Sequence, residues 1–241
     1  MNADERALVI EPLGETVLLL RFGDDIHNAL NVRVHAAAAL LRAVELPGIV
    51  DLVPAYATLA LHYAPEIWIG HHNTPWRHLA DAVRAVFATP PADAAPPTPA
   101  LVEIPVCYGG DDGPDLAEVA HHCALRTDEV IAHHAAATYT VAMLGFAPGF
   151  PYLLGLDTRL HTPRRATPRT RVTAGSVAIG GAQTGIYPAE LPGGWHLIGR
   201  TPLTLFDATL DPPCLLAAGD RVRFHAIDRA DFDALARPHA R

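Results

Sequence analysis

Along the first ninety residues the apolar positions switch period, and the switches mark out elements. ALVIEPL (7–13) and TVLLLRFG (16–23) alternate or run apolar over strand-like lengths, and so do GIVDLVP (48–54) and ATLALHY (57–63). Between them HNALNVRVHAAAALLRAVEL (27–46) carries alanines and apolar residues at helical spacing. A second helix is predicted to start at Thr74 as N-cap, with Pro75 as its first residue, and to run through WRHLADAVRAVF. The order ββαββα predicts a small α+β domain with helices on one face of an antiparallel sheet.

The pattern then breaks at ATPPADAAPPTPA (88–100), whose five prolines favour an extended linker. Two domains are therefore expected, residues 1–88 and 101–241, joined by residues 89–100. Past the linker, LVEIPVCY reads as a strand, and DLAEVAHHC and TDEVIAHHAAA read as helices. After them come YTVAML, RVTAGSVAIGG, TGIYP, WHLIGR, PLTLF and RVRFHAI, short β-prone runs separated by Gly and Pro. This cadence predicts a mainly β second domain, a closed or nearly closed barrel, with RADFDALARP as a terminal helix. No internal repeat is visible.

Composition narrows the chemistry. The 241 residues are 50% hydrophobic, enough for real cores, with no apolar run of membrane-spanning length. The N-terminus MNADERALVI lacks the basic and apolar regions of a signal peptide, so a cytoplasmic protein is expected. A net charge of −8 argues against nucleic acid as a partner. All 18 basic residues are Arg, which excludes a Lys-dependent phosphate loop, Schiff-base chemistry and biotin carriage by this chain. Ser176, the single serine, lies outside any nucleophile-elbow pattern. Cys107, Cys123 and Cys214 are too widely spaced for a zinc knuckle and read as buried small hydrophobes.

The pairs His71–His72, His121–His122 and His133–His134 lack metal-site spacing and read as solvated helix faces. GGDDGPD (109–115) lacks the ligand pattern of a calcium loop and reads as a polar turn entering a helix. No metal site is expected. The second domain offers more. RLHTPRRATPRTR (159–171) concentrates five arginines, readable as a solvated loop paired with carboxylates or as a clamp for carboxylate or phosphate, in which Arg169 and Arg171 would contact substrate. The following stretch interleaves glycines with Gln183, Tyr187, Glu190, Trp195, His196 and Arg200. Gln183, Tyr187 and the backbone at Gly180 and Gly181 could bind a small polar substrate, His196 could transfer a proton, and Arg200 could stabilise charge. Equally, Trp195 and Tyr187 could be core aromatics and His196 a satisfied barrel residue.

GFAPGFPYLLGLD, TPRRATPRTRVTAGSVAIGGAQTGIYP, PGGWHLIGRTPLTLFD and, in the first domain, VPAYATLALHY closely resemble the 5-oxoprolinase B-subunit family. That family takes in proteins described as allophanate hydrolase subunit 1, a sporulation-kinase inhibitor and part of the carboxyltransferase region of urea carboxylase. The resemblance runs from about residue 7 to 227; Thr173 stands where the family commonly has Pro. It implies a cyclophilin-like barrel for the second domain. It also implies a complex with the 5-oxoprolinase C and A components that opens 5-oxoproline to glutamate using ATP with Mg2+, no cofactor being attached to this chain. Phe146, Pro148, Phe150, Tyr152 and Trp195 would then form a pocket wall or the face against the C component. The alternatives are a regulatory module resembling a histidine-kinase inhibitor, and one part of an enzyme hydrolysing allophanate or urea-derived amides.

Overall fold

The structure, a computed structural model, describes residues 8–69, 74–89 and 99–236. The chain divides into two compact units, Met1–Thr98 and Pro99–Arg241. Residues 90–98 of the proline-rich stretch, and the His71–His72 pair, lie outside the described residues.

In the first unit β1 (Val9–Pro12), β2 (Val17–Arg21), β3 (Ile49–Pro54) and β4 (Thr58–Tyr63) form an antiparallel sheet in the order β1-β2-β4-β3. Register explains the burial. Leu61 of β4 faces Leu18 on one side and Leu52 on the other, and Leu59 faces Leu20, so the alternating leucines line up as rows on one face. That face and the helices α1 (Asn28–Val44) and α2 (Pro75–Ala88) share one core, in which Val34, Leu79 and Val83 are fully buried. Thr74 and Pro75 do open α2, although the Thr74 side chain makes no cap bond.

In the second unit seven strands close into a barrel: β5 (Leu101–Tyr108), β6 (Thr138–Leu144), β7 (Pro151–Leu154), β9 (Ser176–Gly180), β10 (Gln183–Ile186), β12 (His196–Arg200) and β13 (Arg221–Ala226), in the order β10-β7-β6-β13-β5-β12-β9. The first and last strands pair in parallel, Val102 opposite Val222 and Ile104 opposite Phe224. Closure removes the exposed edges an open sheet would present. β8 (Arg169–Val172) and β11 (Leu191–Gly193) form a separate ribbon. The helices α3 (Leu116–His122) and α4 (Thr127–Ala136) pack into the barrel's own core through Leu116, Val119 and Val130, and α5 (Arg229–Leu235) follows β13.

Three readings need correction. PLTLF makes no strand, only an isolated bridge from Phe206 to Cys214. The three cysteines are half-buried rather than buried. His134 is no solvated face: it is fully buried, while His121 and His122 are exposed.

Candidate functional site

The arginine-rich stretch folds onto the protein's own carboxylates. Asp115, at the start of α3, is buried and receives both guanidinium arms of Arg169 at 2.7 and 2.8 Å, Arg165 at 3.1 Å and the backbone N–H of Leu197 at 2.7 Å. Burial alone would raise its pKa; the bonds from Arg169 and Leu197 and the charge of Arg165 outweigh it and hold the carboxyl below its ordinary value. Arg159 forks onto Asp157 and Arg171 onto Glu190. Arg169 and Arg171, expected on substrate, are thus both engaged by carboxylates of the chain.

Asp115 also explains a feature of β12. Opposite β9, His196 faces Ile179 and Leu197 faces Ala178, then the register slips so that Gly199 faces Val177 and Arg200 faces Ser176. Ile198 is the extra residue of a β-bulge. The groups this frees are taken by the 109–115 loop: Gly109 N–H donates to Ile198 O at 3.0 Å, and Asp115 N–H to Leu197 O at 2.9 Å. Gly113 lies so close that a Cβ would fall 2.1 Å from Ile198 O.

The bulge separates His196 from Arg200. Strict alternation puts residues four apart on one face, but their partners Ile179 and Ser176 are three apart, so the two side chains leave opposite faces. Each is tied to a loop carbonyl. The Nε2–H of His196 donates to Pro163 O at 2.9 Å, and Arg200 Nε donates to Ala174 O at 2.9 Å while its guanidinium lies over Phe232. Nδ1 of His196 is buried without a hydrogen-bond partner, 3.8 Å from Glu118 Oε2. The structure does not bring His196 and Arg200 together.

The glycines serve packing. A Cβ on Gly180 would enter the Trp195 ring at 2.5 Å, and one on Gly193 would meet the Tyr187 hydroxyl at 2.1 Å. The N–H of Gly181 donates to Thr162 O at 2.7 Å, and Gly180 is paired to Gln183 in the β9–β10 ladder, so the Gly181 amide is already engaged. Gln183 is buried in β10.

What the structure does assemble is an aromatic cluster. Phe150 meets Tyr152 at 4.9 Å, Tyr187 at 5.2 Å, Phe146 at 5.6 Å and Trp195 at 5.8 Å between ring centroids, largely edge to face. Phe150, Tyr187 and Trp195 are buried, Tyr152 is half-buried, and Phe146 is 62% exposed. Burial pushes up the phenols of Tyr152 and Tyr187, and the nearby charge of Arg164 partly offsets it. Phe146 holds φ of +70°, a left-handed conformation costly for a bulky residue. Its loop is closed by Gly145 N–H to Phe150 O and Phe150 N–H to Ala147 O, and Gly149 (φ +78°) lies where a Cβ would strike Phe206. Pro148 belongs to the same loop. A rigid loop therefore presents one aromatic ring to solvent above a packed aromatic base.

A buried network around His134 is not legible in the sequence, which reads that residue as part of a solvated helix face. Inside the barrel Tyr108 Oη lies 2.7 Å from His134 Nδ1, and His134 Nε2 lies 3.0 Å from Thr184 Oγ1, whose hydrogen goes to Ala178 O. Because that hydroxyl hydrogen is committed, Nε2 carries the imidazole proton and Nδ1 accepts from Tyr108. Burial lowers the His134 pKa to about 3. Only the isolated pattern HH-A-A before a strand could have hinted at it.

A family model described as carboxyltransferase domain, subdomain C and D, matches residues 8–216. The chain is 42% identical over 235 residues to the 5-oxoprolinase B subunit of Bacillus subtilis (strain 168), covering 93% of this chain and 95% of that protein. The solved structure of TTHA0988 superposes with a TM-score of 0.75 at 38% identity, covering 88% of this chain and 40% of the other. The K. lactis urea amidolyase shares the fold, with a TM-score of 0.73 at 19% identity over 94% of this chain and 15% of its own. By the near end-to-end extent of these matches, the chain belongs to the 5-oxoprolinase B-subunit family of carboxyltransferase-domain proteins.

Proposed function

We propose that this chain is the B component of an ATP-dependent 5-oxoprolinase, acting with the A and C components in the cytoplasm to open the lactam of 5-oxoproline to L-glutamate, its second unit being a cyclophilin-like barrel. The observation that carries the reading is the 42% identity to a 5-oxoprolinase B subunit over 93% of the chain. The geometry supports a role within a complex. His196 and Arg200 are bound to loop carbonyls on opposite faces, and four of the five loop arginines are neutralised by carboxylates. These residues do not fit a triphosphate. ATP with Mg2+ is assigned to a partner, where it would activate the unreactive amide oxygen toward water. The aromatic face around Phe146 is what this chain would offer to substrate or to the C component. No helix among the described residues is long and apolar enough to cross a membrane.

The test is reconstitution with the A-component and C-component homologues of the same host. Glutamate release from 5-oxoproline, coupled to ATP hydrolysis, is expected from the three-component mixture and not from this chain alone. Turnover by the isolated chain, or an assembled complex that leaves 5-oxoproline intact, would refute the proposal.

A further inference from the structure

Of the five guanidinium groups between Arg159 and Arg171, Arg159, Arg165, Arg169 and Arg171 each hold a carboxylate of the chain. Arg164 is different. It is exposed, forms no ion pair among the described residues, and lies with its guanidinium carbon 5.6 Å from the centroid of the Trp195 ring. That is cation–π range, which holds the group against the aromatic cluster and leaves its N–H edges free to bond.

The backbone beneath Arg164 is fixed from both sides. Pro163 O receives the imidazole N–H of His196, Arg165 N–H donates to Gly194 O at 2.8 Å, and the Arg165 side chain is anchored on Asp115 and Glu118. Three ties on neighbouring residues, with none on Arg164's own guanidinium, set a charged fork at a defined place beside an aromatic surface. The half-buried Tyr152, whose ring centroid is 5.9 Å from that of Trp195, lies within reach of its charge. Phe146, strained and exposed, belongs to the same cluster.

We infer that Arg164, with the aromatic surface of Tyr152 and Phe146, forms a binding site for a small, flat ring acid. Its carboxylate is taken by the guanidinium fork in bidentate fashion and its ring lies against the aromatic edge. On the proposed activity, on which this identification rests, the ligand is 5-oxoproline: a planar lactam with one carboxylate. His196 is then a positioning residue acting through Pro163, and the arginines paired to Asp115 build the loop rather than touch the ligand.

The experiment measures equilibrium binding of 5-oxoproline to the assembled complex by calorimetry in the absence of ATP, with turnover assayed separately. Arg164→Gln is expected to weaken binding at least about tenfold and Arg164→Lys less, because lysine keeps the charge and loses the fork. 2-Pyrrolidinone, the same ring without its carboxylate, should bind wild type and Arg164→Gln alike. Equal 5-oxoproline binding by wild type and Arg164→Gln, or none by wild type, overturns the site. So does an Arg164→Gln chain that no longer binds the C component, which would make the arginine an interface residue. Normal binding with no turnover leaves the site standing and overturns the activity alone.

Discussion

The core of the first unit is apolar down to one buried polar side chain among its described residues, Asn31, whose amide donates to the carbonyls of Ala55 and Tyr56. The second unit, in contrast, buries Asp112, Asp115, His134, Thr162, Ser176, Gln183, Thr184, His196 and Thr201. The two cores are built for different ends. Leucine rows hold a sheet against two helices, and nothing in them dictates where a particular loop must lie. Buried polar groups cost stability unless their partners are met, and Asp115, His134 and His196 meet theirs on distant segments. Asp115 fixes the arginine loop and the bulge of β12, His196 fixes Pro163, and the presentation of Arg164 and the aromatic cluster follows. The unit with the more polar interior is the one that carries the candidate site.

Breaking that contrast calls first for Asp115→Ala, which leaves Arg169 and the Leu197 N–H without their acceptor and Arg165 with Glu118 alone. Removing one partner of a buried charge pair costs about 3–5 kcal/mol. With Trp68 and Trp76 replaced by Phe, the fluorescence of Trp195 should report the loss as a lower urea midpoint for the second unit. An unchanged midpoint would mean that the network is surface decoration. Leu61→Ala is the counterpart in the first unit. Leu61 is fully buried between Leu18 and Leu52, and truncating such a leucine costs about 2–5 kcal/mol, the amount depending on how far the cavity collapses. Trp68 and Trp76, partly buried against that core, should report it.

The same contrast governs what can be seen in the sequence. The strands and helices of the first unit follow from alternation and helical spacing, because there the apolar pattern is the core: Leu59, Leu61 and Tyr63 are the every-other residues of TLALHY. Most barrel strands are visible for the same reason, and so is the aromatic character of 145–156. The site's wiring is not. The contacts of Arg169 with Asp115 and of His134 with Thr184 join residues some fifty positions apart, and no local period encodes them. Sequence spacing also puts His196 and Arg200 on one face, because a bulge leaves no mark in residue type when the extra residue is an isoleucine that faces the core. Five arginines in thirteen residues look like one cationic clamp; the pairing with Asp157, Asp115, Glu118 and Glu190 shows four structural ties and one free fork.

A smaller effect sharpens the picture inside the barrel. Thr184→Val keeps the shape and removes the hydroxyl that accepts from His134 and donates to Ala178 O. An unsatisfied imidazole N–H in that core should cost about 1–3 kcal/mol by urea unfolding. A loss no larger than that of a surface threonine would show that His134 is satisfied by some other route.

The gentlest test uses pH, and it separates the units without touching the site. His134 has a folded pKa of about 3 against an ordinary value of 6.5, because burial opposes its charge. Between those values the unfolded chain binds a proton that the folded chain refuses, so stability falls as pH drops from about 6.5 toward 3, by at most about 1.4 kcal/mol per pH unit. Above about pH 6.5 both states are neutral at this site and the dependence vanishes. Asp115 acts in the same direction but lower. Its folded pKa lies beneath the ordinary 3.8, so its stabilisation is intact above that value and fades only as pH falls through the depressed one. The window from about pH 4.5 to 6.5 therefore separates His134 from Asp115, and comparison with His134→Gln removes the contribution of the other histidines. Urea midpoints of wild type and His134→Gln, measured across that window, should diverge with a steeper acid limb for wild type in the Trp195 signal. The Trp68 and Trp76 signal of the first unit should show no difference between the two proteins. Parallel limbs at Trp195 would mean that His134 takes up its proton in the folded barrel, and the reading of His134 as a neutral, fully buried member of the second core would fail.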